Sequence, residues 1–325
     1  MLFNDEQLRL AANLRQYYEA WRDSERAFDD YAGYLGWKTV AGRQYLYRTD
    51  SRGQGTSLGP RSPVTEGQLS EFQLGRLAAE ERVRAQSDQL KVAGAMYRTL
   101  RLPAIASAAA AVLREADRRG LLGDALLVVG TSAIVAYEFE AGERFAPGMD
   151  ATEDFDLAWA ASPDESVIVA GRLQAPLLSL LKAVDSTYVV NSERPFQARN
   201  RNAYEVEILA APSVMATYPR AEPLRPVPLP EQEWLLNGRR VDQVVCGRDG
   251  TPARVVAPDP RWFALHKCWL ADKPTRDRLK SAKDRRQGDA VLRAVRKRMP
   301  HYPMDAAFIR ELPPELAAYA NRVAS

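Results

Sequence analysis

Cysteine and histidine are nearly missing from this chain, with two of each in 325 residues. Cys246 and Cys268 lie far apart in sequence, so they offer neither a disulfide framework nor a zinc-ligand spacing, and they fit a reducing compartment. His266 and His301 cannot supply a His/Cys metal cluster either. Long apolar runs are lacking too. The best candidate, Ile105 to Leu113, falls far short of the roughly 20 residues needed to cross a bilayer and reads as a packed helix. The amino terminus, Met-Leu-Phe-Asn-Asp-Glu, has no basic start followed by an apolar core, as a secretory signal would. An excess of one charge is also absent: 45 Lys and Arg face 42 Asp and Glu. Any nucleic-acid argument must therefore come from local clusters. The expectation is a cytoplasmic protein with no membrane part.

What is present is enough apolar sequence, 46% of residues, to bury a sizeable core in two or three lobes. Residues 5 to 33 repeat Leu8, Ala11, Leu14, Tyr18 and Trp21 at threes and fours, the pattern of an amphipathic helix whose aromatics pack inward. Trp37 to Tyr47 and Thr56 to Leu58 flank a turn-rich segment and suggest a β-hairpin near 37–58. Charged helices are expected from Thr65 to about Leu90 and from about Ala104 to Arg119. The segment from 124 to about 215 then alternates strands and helices, including Val167-Ile168-Val169, a helix from Leu173 and a strand at Tyr188-Val189-Val190. Prolines crowd residues 218 to 230, which reads as an extended linker or crossover ending the core. Short strands follow at Arg239 to Cys246 and Ala253 to Val256, and the chain turns helical from Arg261. Four regions result: 1–123, 124–215, 216–260 and 261–325. The last is basic, with eleven Lys or Arg against three Asp between Lys273 and Arg298, a solvated helix face or a contact for a polyanion.

The chemistry is concentrated in the middle. The apolar run Ala125 to Val129 reads as a strand, Gly130-Thr131-Ser132 as a tight turn, and Ala133 to Tyr137 as a helix start. Free backbone N–H groups and the helix dipole make such a turn a phosphate cradle. About twenty residues later comes Thr152-Glu153-Asp154-Phe155-Asp156-Leu157. Asp154 and Asp156, at i and i+2 on a strand, project from one face and can share a hard divalent cation. Tyr204 to Leu209 alternates as a further strand with Glu205 and Glu207 on one face, and either glutamate is a candidate third acid.

Gly130-Thr131-Ser132 followed by Glu153-Asp154-Phe155-Asp156 resembles the polymerase-β-like nucleotidyltransferase superfamily. Tyr137, Glu138, Phe145 and Thr152, with Pro258-Asp259-Pro260-Arg261-Trp262-Phe263-Ala264-Leu265-His266-Lys267 and Lys283-Asp284, look like a bacterial branch related to abortive-infection and toxin-type enzymes. The similarity spans about 124 to 298. It implies an α+β fold: a mixed-sheet core flanked by an N-terminal helical and hairpin region and a C-terminal helical domain. It also implies transfer of a nucleoside monophosphate from an NTP such as ATP to a hydroxyl on RNA or protein, with Mg²⁺ or Mn²⁺ and an antitoxin-like partner. Carried over by position, Asp154, Asp156 and Glu207 hold metal and act catalytically. Gly130, Thr131, Ser132 and Lys267 bind nucleotide, and Arg276, Lys280 and Lys283 are further contacts. Glu207 stands where the superfamily usually has Asp, and Thr131 where many members have Ser.

Bland alternatives exist for each feature. An isolated Asp-x-Asp often sits on a solvated loop, Lys267 can pair with an acid, and His266 can be a packed core histidine. Two other functions compete. A metal-dependent glycosyltransferase would use Asp154-Phe155-Asp156 against a sugar nucleotide, with its nucleotide-binding fold starting near the N-terminus. A non-catalytic nucleic-acid or partner-binding protein would keep a degenerate core and rely on residues 273–298.

Overall fold

The computed structural model describes residues 1–50, 53–149, 154–162 and 177–322. Thr152, Glu153, Val167-Ile168-Val169 and the start of the helix expected from Leu173 lie outside the described residues. The chain divides into two compact units, one made of Met1–Arg15 with Gly94–Ser325 and the other of Gln16–Ala93.

Helix α1 (Asp5–Asp29) is followed by strands β1 (Tyr34–Val40), β2 (Arg43–Thr49) and β3 (Gly55–Pro60) and by helix α2 (Pro63–Thr99). The buried stripe of α1 is Leu10, Leu14, Tyr18 and Trp21. Leu8, expected on that stripe, is 45% exposed, because positions two apart on a helix face different ways. The expected hairpin is a three-stranded antiparallel sheet. Trp37 to Tyr47, read as one arm, folds back at Ala41 (φ 49°) and Gly42 (φ 76°). Two successive positive φ angles are what a two-residue hairpin turn needs, and the register runs from Tyr34↔Thr49 to Val40↔Arg43. Helix α2 runs on past Leu90 to Thr99, four residues short of Pro103, which disfavours helix before it.

In the larger unit, strand β4 (Ala104–Ile105) precedes helix α3 (Ser107–Arg118). The helix expected from Ala104 starts three residues later, since Ala104 and Ile105 pair in parallel with Cys246 and Gly247. Strand β5 (Leu126–Val128) enters a 3-10 turn (Gly130–Ala133) and helix α4 (Ile134–Ala141). Strand β6 (Asp154–Trp159), helix α5 (Leu177–Val184) and strands β7 (Val189–Val190), β8 (Gln197–Arg199) and β9 (Glu205–Ala210) follow. Strand β10 (Val227–Pro228), a 3-10 turn (Pro230–Leu236), and strands β11 (Val241–Gly247) and β12 (Pro252–Ala257) lead to helices α6 (Pro260–Asp272), α7 (Arg278–Arg298), α8 (Ala306–Glu311) and α9 (Pro314–Arg322).

The fold is mixed α+β. The main sheet has the order β5-β6-β9-β8-β7, with β10 also on β9. Strands β6 and β9 are parallel, whereas β5, β7 and β8 pair antiparallel with their neighbours. A second sheet has the order β12-β11-β4. The proline-rich segment does not end the core as expected. Val227 and Pro228 pair with Leu209 and Ala210, and Leu224 is fully buried. Proline lacks the N–H of a ladder but is tolerated on a short edge strand.

Helices α6 and α7 pack closely at Gly288. A Cβ there would lie 2.6 Å from the Cys268 sulfur and 2.9 Å from the Ala264 carbonyl oxygen, so only glycine admits this approach. The fused pair forms one wall of the site.

Candidate active site

Alternation along β6 and β9 separates two chemistries. Phe155, Leu157 and Trp159, with Val206, Ile208 and Ala210, are buried in the core. Asp154 and Asp156, with Glu205 and Glu207, project from the opposite face, as the period of two requires. The strands are parallel and in register, with Asp154 opposite Glu205 and Asp156 opposite Glu207. Adjacent strands lie about 4.8 Å apart, so the carboxylates of Asp156 and Glu207 are immediate neighbours.

The two glutamates differ in surroundings. Glu207 lines a cavity of about 460 Å³ together with Asp154 and Asp156. Its Oε1 accepts a 2.5 Å hydrogen bond from Gln197 Nε2, a donor supplied by β8. Glu205 is held by Arg199, whose Nε donates to it at 2.7 Å, and it is not among the described residues lining the cavity.

The Gly130 turn closes against the acids. Val129 N–H donates to the Asp156 carbonyl at 3.1 Å, which ties β5 to β6 where the chain leaves the sheet. Gly130 has φ 64°, and a Cβ on it would sit 1.9 Å from Asp156 Oδ2. Glycine is therefore required twice, for the left-handed backbone and for the space the carboxylate occupies. Gly130 and Thr131 line the cavity. Thr131 Oγ1 accepts from Gln287 Nε2 at 3.3 Å, and the same amide donates to the Met149 carbonyl at 2.6 Å. Ser132 is buried and faces a separate small cleft with Ala104, Ile105 and Arg248.

Helix α6 supplies the facing wall. Buried Asp259 caps it, accepting from Arg261 N–H at 2.9 Å and from the Arg261 guanidinium at 2.7 Å. From that anchor Phe263, His266, Lys267 and Leu270 line the cavity, the i, i+3, i+4, i+7 stripe of one helical face. Lys267 Nζ donates to Asp284 Oδ1 at 2.7 Å, and Arg276 Nε donates to Asp284 Oδ2 at 2.8 Å. The bland expectation that Lys267 pairs with an acid thus holds, while the residue also lines the cavity. Arg276, Lys280 and Lys283 line it as well.

Four cations therefore ring a cavity whose floor is acidic. Burial and the neighbouring Glu207 charge push the Asp156 carboxyl up to about 6, with Asp154 adding to the effect and Lys267 opposing it. Burial and the nearby Lys267 ammonium lower Lys283 from the usual lysine range, against the pull of Asp284, Asp156 and Asp154. An added cation at Asp154 and Asp156 would relieve the acidic repulsion. No group of three or more His, Cys, Asp or Glu among the described residues is placed to hold a metal ion by itself. An oxygen-only pair of carboxylates suits Mg²⁺ nonetheless, because that ion is usually bound by one or two carboxylates and completed by substrate phosphates and water.

The structure thus gathers Gly130, Thr131, Asp154, Asp156, Glu207, Lys267, Arg276, Lys280 and Lys283 around one cavity, and leaves Ser132 and Glu205 outside it. Sequence reasoning missed Gln232, Glu231 and Asp284's double clamp. Residues 231 and 232 arrive on the 3-10 turn Pro230–Leu236, directly after residues 218 to 230, the stretch read as a linker. Lys273 Nζ, also within the basic segment, donates to Glu231 Oε1 at 2.7 Å.

Among the described residues no helix is long and apolar enough to cross a membrane. The model of a nucleotidyltransferase family matches residues 107–312, a span that begins at α3, ends just after α8 and contains every residue lining the cavity. No curated protein and no solved structure matches the chain.

Proposed function

Because the chain belongs to a nucleotidyltransferase family, we propose that it is a divalent-metal-dependent enzyme transferring a nucleoside monophosphate from an NTP to an acceptor hydroxyl, with Asp154, Asp156 and Glu207 as its acidic centre. The observation that carries this reading is the in-register parallel pairing of β6 with β9, which brings three carboxylates into the cavity that the Gly130 turn closes.

Asp154 and Asp156 would hold the metal, Mg²⁺ or Mn²⁺, which when bound neutralises phosphate charge and activates a hydroxyl for in-line displacement. Gly130 and Thr131 cradle the triphosphate at the start of the α4 segment, where backbone N–H groups and the helix dipole favour an anion. Lys267, Arg276, Lys280 and Lys283 offset its remaining charge. The acceptor oxygen attacks the α-phosphorus, the bond to the bridging oxygen breaks, and pyrophosphate leaves with that electron pair. Glu207, oriented by Gln197, takes the proton of the attacking hydroxyl. Catalysis on this account is mainly positioning and charge compensation.

RNA is favoured over protein as the acceptor, because Arg278, Lys280 and Arg286 are exposed on the helix that lines the cavity and suit a phosphate backbone. Incubation with each α-³²P-labelled NTP, MgCl₂ and total cellular RNA or protein, followed by separation of products, tests the reading. Labelled RNA that disappears with EDTA and with Asp156→Asn is expected. Label in protein alone would move the acceptor to protein, and no transfer to either would overturn the function. Growth arrest on expressing the wild type, but not Asp156→Asn, would support the toxin-like setting and the antitoxin-like partner that the resemblance implies.

A further inference from the structure

The His266 ring and the side-chain oxygen of Gln232 have no hydrogen-bond partner. Each residue is 4% exposed, and both line the cavity that contains the acidic centre. Neither ring nitrogen of His266 has a hydrogen-bond partner, nor does Gln232 Oε1. Buried polar atoms are nearly always satisfied, so three orphans on two residues that line one cavity need an explanation. Simple core packing does not provide one. A histidine used only as filler would ordinarily bond a carbonyl or carboxylate, and a buried glutamine would do the same with its oxygen.

Their surroundings hold them in place. His266 stands edge-on to Trp234, with ring centroids 6.1 Å apart, and nearly parallel to Trp269 at 6.4 Å. Gln232 sits on the Pro230–Leu236 turn, two residues from Trp234, and that turn is tied to the helical region by the Lys273–Glu231 ion pair. Leu229, Leu235 and Leu270 supply apolar lining around them. An apolar lining of leucine and phenylalanine with a few polar side chains is how proteins bind small aromatic ligands. Burial holds the imidazole neutral, with its ionisation near 3, so it offers one donor and one acceptor nitrogen rather than a charge. It is therefore unsuited to gripping phosphate and suited to reading a neutral heterocycle.

We propose that this wall of the cavity is the nucleobase subsite, in which Gln232 Oε1 accepts from an exocyclic amine and His266 bonds the adjacent ring nitrogen, so that adenine or cytosine is chosen over bases with a keto group there. The proposal rests on the nucleotidyltransferase reading for the presence of an NTP. It adds which face of the nucleotide is recognised and by which residues. An amide oxygen paired with a ring N–H donor matches an amine beside an acceptor nitrogen. Hypoxanthine and uracil present a carbonyl beside an N–H instead, which would set oxygen against oxygen.

The experiment measures binding of ATP, ITP, CTP and UTP to the full chain in MgCl₂ through the fluorescence of Trp234 and Trp269, whose rings lie against His266. ATP against ITP, and CTP against UTP, differ only in amine for keto at the recognised edge. The expected result is binding about tenfold tighter for ATP than ITP, or for CTP than UTP, the usual worth of one good base-edge contact. Gln232→Leu and His266→Phe should reduce that ratio to less than about threefold while retaining the wild-type melting temperature or exceeding it, since each removes an unpaired buried polar group. Equal binding of amine and keto partners to the wild type overturns the proposal, as does discrimination that survives in both variants. If equal binding accompanies Asp156-dependent transfer, the base subsite alone fails. If no NTP binds at all, the transferase reading fails with it.

Discussion

Replacing Asp156 with Asn should make the protein more stable at neutral pH while abolishing its chemistry. Asp156 carries a carboxyl raised from 3.8 to about 6 by burial and by Glu207. Between those two values the folded chain holds a proton that the unfolded chain has lost. Stability therefore falls as pH rises through that window and stays lower above it. A rise of that size corresponds to about 3 kcal/mol. The carboxylate is partly exposed to the cavity, so screening by water reduces this to about 1–2 kcal/mol. Urea denaturation in EDTA at pH 7.5 and pH 5 reads the effect. The wild type should gain stability on acidification relative to Asp156→Asn, and the variant should exceed the wild type at pH 7.5. Adding MgCl₂ with NTP should then restore the wild type, because a ligand that binds only the folded state stabilises it, and should leave the variant unchanged. A variant that is less stable than the wild type at pH 7.5, or that shares its full pH slope, would refute the account of Asp156 as a strained carboxylate awaiting a cation.

Gly130→Ala places a methyl group 1.9 Å from Asp156 Oδ2 at a φ of 64°. It should cost about 1–3 kcal/mol in thermal melting and lower kcat about 100-fold through displacement of the carboxylate. Glu207→Gln should lower transfer at least about 100-fold, whereas Glu205→Gln, which only releases Arg199, should stay within about threefold in the same labelled-NTP assay. Asp284→Asn strands the buried Lys267 ammonium and should destabilise by about 3 kcal/mol in denaturant titration. Adding Lys267→Met should recover part of that loss, as a double-mutant cycle would show. If RNA is the acceptor, the combined neutralisation of Arg278, Lys280 and Arg286 should reduce the slope of log affinity against log salt by about 2, from roughly 0.7 per phosphate contact on single strands.

The features legible in the sequence were local ones. An apolar run before Gly-Thr-Ser gave β5 and its turn, and the alternation of Asp154-Phe155-Asp156 and Glu205-Val206-Glu207 gave two strands with acids on one face. The turn to helix read from Arg261 lies one residue past the start of α6 at Pro260. Ala41-Gly42 was not legible because neither Asn-Gly nor Asp-Gly occupies the turn, and Trp37 to Tyr47 reads through it as one continuous β-prone segment. The extended pair Ala104–Ile105 was hidden by the alanine-rich helix it precedes, since its partner strand lies about 140 residues later.

What sequence could not supply was pairing between distant segments, and the acidic site depends on it. Glu205 and Glu207 are equivalent in the sequence: same residue, same strand, same face. Their difference comes from what β8 brings alongside, with Arg199 opposite Glu205 and Gln197 opposite Glu207. A guanidinium occupies one carboxylate with a charge, while an amide orients the other and leaves its charge uncompensated. Burial raises the pKa of Asp156, and that uncompensated charge on its in-register neighbour raises it further. The same reasoning divides the basic segment. Within it Arg276 pairs with Asp284, Lys273 with Glu231 and Arg285 with Asp272, and Arg285–Asp272 together with Lys267–Asp284 joins α6 to α7, whereas Arg278, Lys280 and Arg286 stay exposed. The count of charges in a segment thus says less about a ligand than which of them the fold leaves facing a cavity.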